Sequence, residues 1–468
     1  MIHTLEADTT ILPNIILRFP AMHRSILLTL ALSLALGSVP RVAANDDALV
    51  PDNVARQAHP ATADVQKAAA AFAQGKHEEA LQQFIEIHNR HPDLSPGELL
   101  FAQIAFQAKQ VGVAKVALEK AAVTQADDPE TWNMLAALAL ADGRLAETEM
   151  LFQRGLTAAE QYTANDQRKT AQAIQAHAGL ATVYEKRSQW NSAKENLRDW
   201  ISLDPRDTKP WPRLAVAFFK LGQESTARET LQNLRSFSPN ADPVDVAMGK
   251  LYQSVGRRQD ATDAMQTALE TDRENLIAQV EIARYAMDAG EQDLMRRAID
   301  QAVSLDGDQP AVRYLQGMAA RFDRDSVSAV DIFSQLHRED PSNFEASNGL
   351  ILSLLSSEES DQHPLALKHA EVLYQSNTNV KTGRGRVAAS SYAWALLKNN
   401  DLANAEAVMT SVVKTRVLSA EIGYFAAEIF AAVGKQDLSR TVLKATLASP
   451  QSFVDRPAAE RLMSRLDS

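Results

Sequence analysis

LAVAFFKLGQESTARETLQNLRSFSPN, Leu214–Asn240, carries two helical patterns around one turn. Trp211, Leu214, Ala215 and Phe218 recur at helical spacing, Gly222 interrupts them, Ala227 and Leu231 resume the spacing, and Pro239 stops it. The pattern repeats. From Ala227, steps of 34 residues reach Ala193 upstream and Ala261, Met295 and Ala329 downstream, and Ala80, Ala114 and Thr148 keep the same step nearer the N-terminus. Twelve residues before that position lies a stricter one: Ala68, Ala102, Ala136, Ala181, Ala215, Gly249, Ala283 and Gly317, then Ala393 and Ala427. Every one is alanine or glycine, as expected where two antiparallel helices bring their backbones together. Phe84, Leu118, Phe152, Leu197, Leu231, Met265, Ile299, Phe333, Met409 and Leu443 are the expected knobs between neighbouring pairs. Pro92, Pro205, Pro239 and Pro341 end second helices, because proline cannot continue a helix. Gly75, Gly143, Gly222, Gly256, Gly290 and Gly434 mark the tight turns.

This arrangement resembles the tetratricopeptide repeat (TPR), whose signature runs Trp-x2-Leu-Gly-x2-Tyr, then Ala-x3-Phe, then Pro. Lys67 and Gln316 depart from it at the leucine position, and Asp64 and Glu98 at the tryptophan position. The resemblance covers about residues 61–450 and implies an all-α fold. It implies a right-handed superhelical solenoid of about ten to eleven helix-turn-helix repeats, acting as a binding scaffold with a concave channel.

Breaks in the register divide the chain. Repeats one to three are expected over 61–162, an insertion over 163–173 that lengthens a helix, and regular repeats four to eight over 174–341. A distorted repeat with insertions occupies 342–386, and C-terminal repeats with a capping helix fill 387–468.

The N-terminal region reads differently. MHRSILLTLALSLALGSVPRVAAND, Met22–Asp46, opens on a basic pair, continues through an apolar run from Ile26 to Leu36, and closes on Val42-Ala43-Ala44. That run is too short to cross a membrane and has the length of a signal-peptide core. We expect a signal peptide over 22–44, cleaved between Ala44 and Asn45, a disordered leader over 45–60, and an over-called extension over 1–21. No transmembrane span remains after cleavage. The expected location is the periplasm of a bacterial envelope. An uncleaved segment would instead leave a cytosolic TPR adaptor.

A net charge of −11 disfavours generic nucleic-acid binding. Cysteine is absent, which excludes disulfides, thiol catalysis, Cys-ligated zinc and lipoprotein anchoring. No GxSxG, HExxH, Walker or GxGxxG pattern occurs, so no catalytic residue, cofactor or metal site is assigned and no enzyme is expected. His88 with His91, and His363 with His369, lack a third ligand, and TGRGR, Thr382–Arg386, follows no strand and reads as a solvated linker.

If first helices line a concave face, as the resemblance implies, the residues just past the small position and a turn later face the channel. Lys186, Lys220, Lys250, Arg284 and Arg321 then form a basic ladder, with Phe219, Tyr314 and Met318 among them. Such a ladder would hold an extended acidic protein segment, or in an export system an anionic polysaccharide. The reading is thus of a non-enzymatic protein-binding scaffold or adaptor.

Overall fold

The computed structural model describes residues 59–357 and 360–468. The expected extension, the signal peptide with Ala44 and Asn45, and all but the last two residues of the leader lie outside the described residues. The described chain is helical and divides between two compact units, 59–241 and Asp242–Ser468.

The first unit holds five helix pairs: α1 (Thr62–Ala73) with α2 (His77–Arg90), α3 (Gly97–Gln107) with α4 (Val111–Thr124), α5 (Pro129–Ala141) with α6 (Leu145–Gln161), α7 (Asp166–Lys186) with α8 (Trp190–Leu203), and α9 (Pro210–Lys220) with α10 (Glu224–Phe237). The second holds six pairs and a last helix. They are α11 (Val244–Ser254) with α12 (Arg258–Thr271), α13 (Leu276–Ala289) with α14 (Gln292–Asp306), and α15 (Pro310–Phe322) with α16 (Ser326–Glu339). Next come α17 (Phe344–Ser356) with α18 (His363–Gln375), α19 (Gly383–Lys398) with α20 (Leu402–Val413), α21 (Ala420–Ala432) with α22 (Gln436–Ala448), and finally α23 (Arg456–Asp467). Among the described residues no helix is long and apolar enough to cross a membrane.

The turn between α9 and α10 shows why each pair forms. Gly222 adopts φ 76°, its N–H donates to the Phe219 carbonyl at 3.0 Å, and the Gln223 N–H donates to Phe218 at 2.9 Å. This Schellman arrangement satisfies the last carbonyls of α9 and reverses the chain in three residues. The Gln223 carbonyl then accepts the Ala227 N–H and starts α10. Lys109, Ser188, Arg324 and Asn400 take the same left-handed conformation in other pairs, where no glycine is present.

The small positions and knobs of the register are buried throughout. Phe333 on α16 is the clearest case. A methyl group added to Gly317 on α15 would lie 2.7 Å from its ring, and one added to Gly349 on α17 would lie 2.6 Å from it. Two successive first helices therefore close on one aromatic ring, and glycine is what lets them do so.

The first unit also contains a buried ionic cluster. Arg168, in the first turn of α7, has a side chain only 9% exposed and places Nη1 2.6 Å from Asp128 and Nη2 2.8 Å from Glu130. Ser95 and Gln103 each donate to Glu130 at 2.7 Å, and Asp128 caps α5 by accepting the Glu130 and Thr131 amides. Burial opposes the Arg168 charge, and Glu130 and Asp128 outweigh it, so the guanidinium titrates above the usual arginine range. At 21 residues, α7 is the longest helix described, and Arg168 belongs to the extra length at its start.

Candidate functional site

The outer ends of α7 and α9 carry the first two bases of the expected ladder. Arg213 on α9 reaches Glu185 on α7, with Nε and Nη2 at 2.9 and 3.0 Å from the carboxylate, and bonds the Thr182 hydroxyl at 2.9 Å. That bridge sets the two helices side by side. Lys186 and Lys220 stand one on each, in the last turn, exposed and, among the described residues, without an ion pair or hydrogen bond. A cation in the last turn also complements the negative end of the helix.

Phe219 corrects the expectation, being only 7% exposed. It lies four residues after Ala215, on the same helical stripe as the packed small position, so it turns inward with it. Arg321 repeats the error for the same reason. It lies four residues after Gly317, and its side chain is 4% exposed. Gln253, at the equivalent place on α11, is exposed, so the stripe is covered only where a neighbour is set against it.

The bases of the second unit are engaged within the chain. Lys250 Nζ sits 2.7 Å from Asp242 and 2.8 Å from Glu281. Burial works against its charge, and Asp242 and then Glu281 outweigh burial, so the ammonium titrates above the usual lysine range. Arg284 lies 3.9 Å from Glu281 on its own helix and remains exposed. Arg321 Nη2 bonds Glu421 at 3.0 Å, and its Nη1 approaches the Met318 sulfur at 3.7 Å. Tyr314 is half-buried with its ring edge-on to Phe333, and burial pushes its hydroxyl up. The five bases therefore do not form one free ladder. The repeat register sets which side of a helix a base occupies, but the acid that arrives opposite comes from another repeat. Glu421, which neutralises Arg321 from 100 residues away, carries no signal in that register.

Asp288, at the end of α13, adds a titrating group to this region. Burial lifts its carboxyl to about 6, and Arg284 offsets only part of the lift. The folded state therefore holds the proton more tightly than the unfolded chain, whose aspartate titrates near 3.9. Stability should fall as pH rises from about 4 to 6, and the penalty should be complete above 6. Asp288→Asn is expected to stabilise the chain by about 2 kcal/mol at pH 7.5 and to flatten the dependence of Tm on pH between 4 and 6. Melting curves across that range check it.

Other sequence candidates resolve into structural roles. TGRGR is the start of α19, which corrects the linker reading. The Thr382 hydroxyl accepts the Gly385 N–H at 3.0 Å, and a side chain at Gly385 would strike the Asn379 carbonyl. His88 turns to the Leu94 carbonyl at 3.2 Å, and His369 packs edge-on to His337. His91 instead approaches His59 and Asp93, whose ligand atoms all lie within 4.8 Å of one another. His59 spends both ring nitrogens there, Nε2 on Asp93 at 2.9 Å and Nδ1 on the Ala61 N–H at 3.1 Å. Binding a metal through Nε2 would require the Ala61 bond to break. An open depression of about 350 Å³ lies along α6, α7 and α8, where Lys169 donates to the Glu160 carbonyl and His177 pairs with Asn196.

Residues 213–241 match the family model of the tetratricopeptide repeat. The similarity is confined to this one helix pair. It comprises α9, its Schellman turn and α10. The chain is similar to solved structures at low identity. With Cut9–Hcn1, crystallised as an APC/C hetero-tetramer, it shares 13% identity over 89% of this chain and 91% of that one, at a TM-score of 0.40. With yeast Tom70 it shares 13% over 87% and 95%, at 0.37. A tetratricopeptide repeat protein from Parabacteroides merdae shares 12% over 64% and 100%, at 0.33. No curated protein matches the chain in sequence.

Proposed function

We propose that this helical-repeat chain is a non-enzymatic protein-binding scaffold of the bacterial envelope, and that a partner docks on the α7–α9 face of the first unit. The observation that carries this reading is the pair Lys186 and Lys220. They occupy equivalent places on adjacent first helices, and both side chains are exposed and unpaired among the described residues. The neighbouring Arg213, by contrast, is consumed in holding the two helices together. Two unpaired cations held by a rigid pair of helices select an acidic partner segment by charge and steer its approach. Export rests on the sequence from Met22 to Ala44.

The test is crosslinking and co-purification from the envelope fraction with the wild-type chain and with Lys186→Glu/Lys220→Glu. Loss of a crosslinked protein in the variant supports the scaffold, while an identical partner set rejects this face. Two cations also suit an anionic polysaccharide, which is the second reading. Salt-sensitive binding of purified chain to purified polymer, with no protein crosslinked, would select it. For export, the mature chain should begin at Asn45 by intact mass, and a cytosolic chain beginning at Met1 would refute it.

A further inference from the structure

The second unit contains contacts that a stack of nearest neighbours does not supply. Its third pair, α15 with α16, is separated from the last pair, α21 with α22, by two intervening pairs. Yet Arg321 on α15 bonds Glu421 on α21 at 3.0 Å. In the turn after α15, Arg324 places Nη1 2.8 Å from Asp455 and donates through Nη2 to the Val454 carbonyl at 3.0 Å. The Ser452 N–H donates to the Asp288 carbonyl at the end of α13 at 2.9 Å. The loop from Ser449 to Asp455, which joins α22 to α23, thus lies against the ends of α13 and α15.

What the loop presents there is the chemistry of an extended peptide. One backbone N–H, one backbone carbonyl and one carboxylate make the polar contacts, while Phe453 and Val454 are buried, with Phe453 facing Tyr424 at 6.2 Å. The receiving side has matching features. The Asp288 carbonyl belongs to a helix end, where carbonyls lack partners within the helix. Arg324 takes φ 62° in its turn, the left-handed conformation that Gly256, Gly290, Gly434 and Asn400 take in the corresponding turns of this unit. The Arg324 side chain is still 47% exposed, so solvent and a competing carboxylate can reach it.

We infer that the ends of α13 and α15 form a binding site for an extended, acid-bearing protein segment, and that the chain's own Ser452–Asp455 is its resident occupant. A partner segment with a free backbone N–H and carbonyl followed by a carboxylate displaces it. This rests on the scaffold reading and gives the scaffold a second, self-covered site with a stated ligand chemistry.

The experiment uses the full chain and a labelled synthetic peptide of residues 449–456, SPQSFVDR, followed by fluorescence anisotropy. Ser452→Pro/Asp455→Asn removes the donated N–H and the carboxylate of the resident loop. That variant should bind the peptide about tenfold more tightly than wild type, because its site is open for a larger fraction of the time. Adding Arg324→Ala should return the affinity to the wild-type level or below. A folded loop variant with no gain in affinity, or a gain that survives Arg324→Ala, overturns the inference. Hydrogen exchange on the wild type decides the matter if the variant does not fold. The Ser452–Asp455 amides should exchange about a hundredfold faster than those of Val442 and Leu443, as expected of a locally opening segment. Equal protection means that the loop is fixed core, and overturns the inference. Lys186→Glu/Lys220→Glu should leave peptide binding unchanged, so failure at the α7–α9 face and failure here read separately.

Discussion

Replacing Arg168 with alanine is expected to lower the stability of the unit over 59–241 by about 3–5 kcal/mol. The guanidinium is buried between Asp128 and Glu130, and its removal leaves two carboxylates facing each other with little solvent. Ser95 and Gln103 still donate to Glu130, but neither carries positive charge. Because the penalty arises from uncompensated acids, Arg168→Ala/Glu130→Gln should recover part of the loss. The two changes will not add, since both touch one network. Urea unfolding followed by tryptophan fluorescence is the measurement. Trp132, Trp190, Trp200 and Trp211 lie in this unit and only Trp394 lies in the other. A loss below about 1 kcal/mol, the range of an exposed ion pair, would mean that water takes the place of the guanidinium.

Phe333→Ala should destabilise the second unit by about 3–5 kcal/mol, the range for deleting a buried aromatic ring. At this size of domain that corresponds to a fall in Tm of about 6–20 °C. The ring is fully buried between Gly317 and Gly349, with Tyr314 against its edge, and two helix backbones have little freedom to collapse into the space. The converse change tests the same fit. Gly317→Ala drives a methyl group into the ring and should cost about 1–3 kcal/mol through overpacking. Gly317→Ala/Phe333→Leu should be more stable than the sum of the separate losses predicts. Strict additivity would show that Gly317 and Phe333 do not share one packing space.

Much of this architecture was legible because it is local and periodic. A small residue recurring every 34 positions implies a close helix crossing, and the described structure buries those positions. Leu231 and Phe333 share a place in that register, and both are core. The hairpin at Leu214–Asn240 is visible in the sequence by itself, because spacing, turn and stop coincide there.

The errors have one physical origin. Counting residues along a helix sets Phe219 and Arg321 on an open face, because it identifies a stripe but not what covers it. The insertion over 163–173 was visible as a break in phase, yet nothing in the break showed that Arg168 would enter a pocket of buried acids. Lys250 and Lys220 look alike in sequence, but Asp242 and Glu281 neutralise one while the other stays unpaired among the described residues. Helices, turns and small crossings follow from residues a few positions apart, and so they are written in the order of the chain. Which charges remain free, and which loop covers which helix end, depends on groups as far apart as Arg324 and Asp455, 131 residues distant, and is decided only when the helices pack.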